Sequence, residues 1–120
     1  GLVAPELQLA TEYLNSLITN YFFILSFCYN DAPVQGCPAV PPEIAQDLVI
    51  TNTSAERAPA ADPQALVSWI ADRLAGGSMS ATLRAQAVAM VEAVPASETS
   101  LRVAEAHYLI STSPELALQR

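Results

Sequence analysis

His107 is the single histidine of this 120-residue chain, and the hydroxyls of Ser111, Thr112 and Ser113 follow it closely. A histidine with hydroxyls nearby is the first candidate for a general base and its nucleophile. Such chemistry also needs a group that orients the ring. Glu105, two positions earlier, cannot share a helix face with His107, and Glu98 and Arg102 lie nine and five positions back. Adjacency along the chain is not triad geometry. The expectation is a histidine packed at a helix–helix contact, with no catalytic residue assigned.

The remaining candidates carry less chemistry. Glu92, Glu98 and Glu105, spaced by six and seven, read as a solvated face or as ion-pair partners of Arg102. The twelve acidic residues offer many carboxylate pairs, and no spacing singles one out for glycosidic chemistry. Gly76-Gly77-Ser78 lacks the lysine of a phosphate loop and reads as a helix stop. Cys28 and Cys37, with His107 as the sole imidazole, match no zinc spacing, so no metal is expected. Tyr13, Tyr21 and Tyr29 lie eight apart and drift only ~80° per step around a helix. They would line a groove for a pigment or haem, but core packing is the expected role and no cofactor is assigned. Asn52-Thr53-Ser54 fits a glycosylation sequon and is expected to be a polar turn.

The elements that must position these residues begin with one long stretch. Ala4 to Asn30 starts as a helix should, with Pro5 suited to the first helical position and Glu6 near the positive end of the dipole. Leu7, Leu14, Ile18, Tyr21 and Leu25 recur at three- and four-residue steps and share a face. From Tyr21 to Cys28 the pattern is apolar all round, which predicts burial on every side. A membrane span needs roughly 20 apolar residues, and Asn15, Thr19 and Asn20 interrupt before that length, so no span is expected.

Composition points to a covered surface. Hydrophobic residues make up 52% and charged residues 14%, against roughly 25% charged in an average soluble domain. A small domain has much surface for its volume and should be richer in charge than average. The shortage implies that another chain, an oligomer mate or the remainder of a longer protein covers part of it. Net charge is −7, there is no lysine, and the five arginines are scattered singly. Such a chain neutralises no run of phosphates, so neither nucleic acid nor an anionic membrane is an expected partner.

Cys28 and Cys37 enclose Tyr-Asn-Asp-Ala-Pro-Val-Gln-Gly, whose turn formers let the sulfurs meet. A disulfide there is expected, and with it an oxidising compartment, periplasmic or otherwise exported. The chain begins with Gly, which suggests an amino terminus made by processing or cleavage. Prolines 33, 38, 41 and 42 stiffen the connection that follows. Pro42–Asp47 can form one helical turn, and Leu48–Thr51, rich in β-branched residues, has no second strand to pair with. Asp62 caps and Pro63 starts a helix with Leu66, Trp69, Ile70 and Leu74 inward, stopped by Gly76-Gly77. Ser80 caps the next, with Leu83, Ala87, Met90, Val91 and Val94 inward up to Pro95. A third runs from about Thr99 to Ile110 with Leu101, Val103, Ala104, Tyr108 and Leu109 toward the core. Ser113-Pro114-Glu115 begins a last short helix, Leu116 to Gln119. The sum is an all-α, irregular array of about four to five helices in a single unit, 1–120. It comprises a long helix 4–29, an irregular proline-rich insertion 30–61 and a helical array 62–120.

Two stretches resemble a known family. Gly1-Leu2-Val3-Ala4-Pro5-Glu6-Leu7-Gln8-Leu9-Ala10-Thr11-Glu12-Tyr13-Leu14-Asn15 resembles a segment of the bacterial domain-of-unknown-function family eighteen-hundred. Arg102-Val103-Ala104-Glu105-Ala106-His107-Tyr108-Leu109-Ile110-Ser111-Thr112-Ser113-Pro114-Glu115-Leu116-Ala117-Leu118-Gln119-Arg120 resembles how those proteins end. Asp62-Pro63 through Leu74, Gly77–Ser80 and the helix to Pro95 fit the same order, and residues 28–57 match least. The resemblance implies the carboxy-terminal part of a longer, commonly exported protein, and it transfers no activity and no catalytic residue. The family's usual proline- and phenylalanine-rich stretch before the matching start is missing here.

Together these readings favour a non-catalytic helical subunit or fragment that packs on a larger protein partner through Tyr21, Phe22, Phe23 and Phe27. The alternatives are a fragment of an enzyme whose active site lies mainly in other sequence, with His107 contributing, and a subunit binding a hydrophobic cofactor along Tyr13–Tyr29.

Overall fold

Helical starts and stops encoded one by one produce the architecture. In a computed structural model the backbone is described over residues 12–117 and the side chains over 16–116. Seven helices lie in this range: α1 (Glu12–Phe27), α2 (Pro42–Ala45), α3 (Ser54–Arg57), α4 (Pro63–Leu74), α5 (Ala81–Glu92), α6 (Thr99–Ser111) and α7 (Pro114–Ala117). No strand forms among the described residues, and the fold is all-α. The expected start of the first helix, including Pro5, Glu6, Leu7 and Leu14, lies outside the described side chains.

The local devices work as the residue types dictate. Asp62 accepts from the backbone N–H groups of Gln64 (3.0 Å) and Ala65 (3.3 Å) ahead of Pro63, satisfying two donors that have no partner inside the helix. Ser80 Oγ accepts from Leu83 N at 3.1 Å. Gly76 and Gly77 take φ +57° and +80°, a left-handed pair that ends α4 where a side-chain-bearing residue would be strained. The last short helix begins at Pro114 as Ser113-Pro114-Glu115 predicts, and the Ser113 hydroxyl donates back to Ile110 O (2.7 Å) at the end of α6. Glu115 of α7 accepts from both Ser80 N (3.0 Å) and Ser80 Oγ, which ties the chain end to the start of α5.

The core lies between α4, α5 and α6. Leu66, Val67, Ile70 and Ala71 meet Leu83, Ala87, Val88 and Val91, and Val103, Ala106 and Ile110 complete the cluster. Ala71, Ala87 and Ala106 are fully buried, and their small side chains let the helix backbones approach closely. Helix α6 is the hub, packing on α1, α3, α4, α5 and α7. Several expected core positions shift by a fraction of a turn. Met90 is exposed and Val88 buried in its place. On α6, Leu101, Tyr108 and Leu109 are half-buried, while Arg102, Ala106 and Ile110 go inside.

Arg102 is the largest correction. Its guanidinium pairs with no carboxylate among the described residues. It is buried and donates to Val94 O (2.9 Å), Ala60 O (3.0 Å) and Ala61 O (3.0 Å). Three carbonyls beyond the end of α5 and in the turn before α4 thus share one cation, which satisfies the buried Ala60 acceptor and the partly covered Ala61 and Val94 acceptors.

Candidate functional site

The proline-rich insertion is ordered by its disulfide and by bonds between its two ends, 20 to 26 positions apart, that build one wall of a pocket. Cys28 and Cys37 form the expected disulfide, with Cα atoms 5.4 Å apart. Asp31 N donates to Thr51 O (3.0 Å) and Thr51 N to Tyr29 O (3.1 Å), a single parallel bridge centred on Asn30 and Thr51. The extended segment therefore finds a partner in the turn after α1, not in a second strand. Asp31 Oδ1 accepts from Thr53 N (2.7 Å) and Thr53 Oγ1 (2.8 Å), and both Asp31 oxygens receive the Arg57 guanidinium. These bonds, the Arg57 hydrogen bond first, hold the Asp31 carboxyl well below the usual carboxylate range. The Asn52-Thr53-Ser54 triplet forms a polar turn in which Asn52 Oδ1 accepts from Ser54 N (3.0 Å) and Ser54 Oγ (2.7 Å).

This clamp seats α3 against α6 and brings Glu56 to His107. His107 Nε2 lies 3.3 Å from Glu56 Oε1. Burial lowers the His107 pKa, and the Glu56 charge and hydrogen bond oppose that shift. With the ring neutral, Nε2 carries the proton that Oε1 accepts. The second oxygen, Glu56 Oε2, is buried and has no hydrogen-bond partner among the described residues. The pair sits in the wall of a half-open pocket of about 420 Å³, faced by Phe22 and Leu25 of α1, Leu74 of α4 and Ser111 of α6.

Ser111 shares this pocket with His107, but no hydrogen bond joins the two among the described residues. Thr112 and Ser113 use their hydroxyls to donate to Tyr108 O and Ile110 O, both at 2.7 Å. Glu105 is half-buried and its pKa is raised by burial. Glu92 and Glu98 are exposed. The acid opposite His107 is Glu56, fifty-one positions away, and sequence reasoning missed it because Glu56 sits in the single-turn helix α3, too short to show a periodicity.

The four aromatic residues expected to face a partner divide. Phe27 is buried, stacked on Phe23 (ring centroids 4.7 Å apart) and edge-on to Tyr108 (5.8 Å). Phe22 is half-buried in the pocket wall. Tyr21 and Phe23 are exposed, at 55% and 46%, with Leu17, Ile18 and Ile24 beside them. The end of α1 is therefore not enclosed on every side; it packs on α6 through one edge. Ile18 and Tyr21, expected on the inward face, stand on the outward one. Of the tyrosine series, Tyr29 is half-buried and Tyr13 lies outside the described side chains.

Comparison with protein-family models, with curated proteins and with solved structures gave no match. Among the described residues, no helix is long and apolar enough to cross a membrane, and no three His, Cys, Asp or Glu side chains converge as a metal site would require.

Proposed function

We propose that this chain is a non-catalytic helical interaction unit that docks the outward face of α1 onto a larger protein partner in an exported bacterial assembly. The observation that carries the reading is the run of Leu17, Ile18, Tyr21 and Ile24, all at least 37% exposed, on a helix with no charged residue after Glu12; Phe23 lies on the other side, edge-on to Tyr108 of α6 (5.6 Å). Contiguous exposed apolar surface of this kind marks interaction sites on soluble proteins. The disulfide fits an oxidising compartment, and the family resemblance fits a partner that is the amino-terminal part of the same precursor. A photo-crosslinking amino acid at position 21, introduced in the native host, tests the reading. One discrete protein adduct, lost on Ile18→Glu, is the expected result. Absence of an adduct, together with a monodisperse, stable monomer at micromolar concentration, overturns it.

A second reading draws on the Glu56–His107 contact: a fragment of an enzyme completed by other sequence, with His107 as a contributor. His107→Ala in the complete protein discriminates, since unchanged turnover rejects that role.

A further inference from the structure

The pocket beside Glu56 carries an acidic group that no guanidinium pairs with among the described residues, although the Arg57 charge acts on it at longer range. Its wall is largely apolar, and its acidic group is a single carboxylate with one oxygen partnered by His107 and the other unpartnered among the described residues. The neighbouring guanidiniums are committed elsewhere. Arg57 serves Asp31, and Arg102 serves three carbonyls. Burial holds His107 toward its neutral form, against the pull of the Glu56 charge.

We infer that this pocket is a binding site for a small organic cation, an ammonium group carried on a compact apolar body. The volume of about 420 Å³ falls within the ~300–1,000 Å³ of ordinary ligand sites. The apolar body lies against Phe22, Leu25 and Leu74, and the ammonium meets Glu56. The 3.3 Å contact between Glu56 and His107 is longer than the ~2.7–2.9 Å of a strong charge-assisted hydrogen bond. Glu56 Oε2 is buried, so the carboxylate rotates into the pocket to meet the ammonium, and the long contact to His107 is little to give up in that rotation. Ser111 Oγ offers an acceptor for a second ammonium proton. A chain of net charge −7 with no lysine also favours approach of a cation over an anion. This site lies apart from the outward face of α1 and stands independently of the docking reading.

Titration of the 120-residue chain with benzylamine, benzyl alcohol and benzoate, followed by two-dimensional NMR, tests the inference. The expected result is saturable shifts at Thr53, His107 and Ser111 with benzylamine, and at least ~10-fold weaker binding of the alcohol, about 1.4 kcal/mol. Benzoate produces no saturable shift. E56Q brings the amine and the alcohol to equal affinity, and Leu25→Ala weakens both together. Equal affinity of amine and alcohol for the unaltered chain overturns the inference. So do shifts confined to Leu17, Ile18, Tyr21 and Ile24 on the outward face of α1, or no saturation at millimolar amine. The comparison of ligands on the unaltered chain decides the matter even if E56Q does not fold.

Discussion

Arg57 reaches back twenty-six positions to hold Asp31, its two terminal nitrogens 3.1 and 2.9 Å from the two carboxylate oxygens. The same carboxylate takes the backbone and hydroxyl protons of Thr53. One side chain thereby fixes the loop after α1, the extended segment and α3 in a single arrangement. Glu56, next to Arg57, owes its place opposite His107 to this clamp.

A pH dependence follows for Asp31. Its folded pKa is depressed, so the stability it contributes is present above the unfolded value near pH ~4 and is lost as acid is added below that value. Asp31→Asn removes this slope. Urea melts followed by the single tryptophan, Trp69, are expected to give a flatter stability curve for the variant than for the unaltered chain between pH ~4 and ~2. Parallel curves would refute the clamp.

His107 has the opposite charge type and a depressed folded pKa, set chiefly by burial. The unfolded ring binds a proton near pH ~6.5 while the folded ring resists it. The associated stability is therefore full above pH ~6.5 and declines as pH falls through the range below it. His107→Gln is expected to abolish that decline between about pH 6.5 and pH 5. A decline that persists in the variant would place its origin in another group.

The fold was legible where a local device determines it. Asp62-Pro63, Gly76-Gly77 and Ser80 each act on backbone groups within a few residues, so their spacing along the chain is enough to place α4 and α5. The disulfide was legible for the same reason, since turn formers between Cys28 and Cys37 bring the sulfurs together. The Glu56–His107 and Asp31–Arg57 contacts were not, because each joins polar residues through tertiary packing and neither leaves a periodic trace. Arg102 misled because an arginine near glutamates suggests ion pairs, whereas unpaired carbonyls at a helix end attract the same donors. The all-round apolar end of α1 predicted enclosure, whereas among the described residues α6 and the pocket wall cover one side of it and leave Tyr21 and Ile24 exposed.

Reduction of the disulfide separates the end of α1 from the clamp loop. Closing so short a loop contributes about 2–3 kcal/mol through the unfolded chain. Cys28→Ser/Cys37→Ser is expected to lower the stability of the chain by that order, and added dithiothreitol should destabilise the unaltered chain but leave the double variant unchanged. Equal response of both proteins to the reductant would show that the bridge is not the element being probed.

Arg102 carries the most specific stability prediction. It is 6% exposed and serves three carbonyls, two of them in the turn that precedes α4 and one beyond the end of α5. Methionine keeps most of the aliphatic stem and removes all three donors, so packing loss is small and the carbonyls lose a charged partner. Hydrogen bonds to charged groups are worth about 1.5–3 kcal/mol each where no substitute is available, and water reaches part of this site once the guanidinium is gone. Arg102→Met is therefore expected to destabilise the chain by about 3 kcal/mol. Lysine restores the charge but offers one compact donor group in place of a planar fork and cannot span carbonyls on two elements. Arg102→Lys should recover less than half of the loss. Hydrogen exchange adds the spatial test, because the amides at the start of α4 and the end of α5 should lose protection together in the methionine variant, while those of α1 should not. Full rescue by lysine would mean that charge alone, and not the geometry of the three carbonyls, sets the role of this residue.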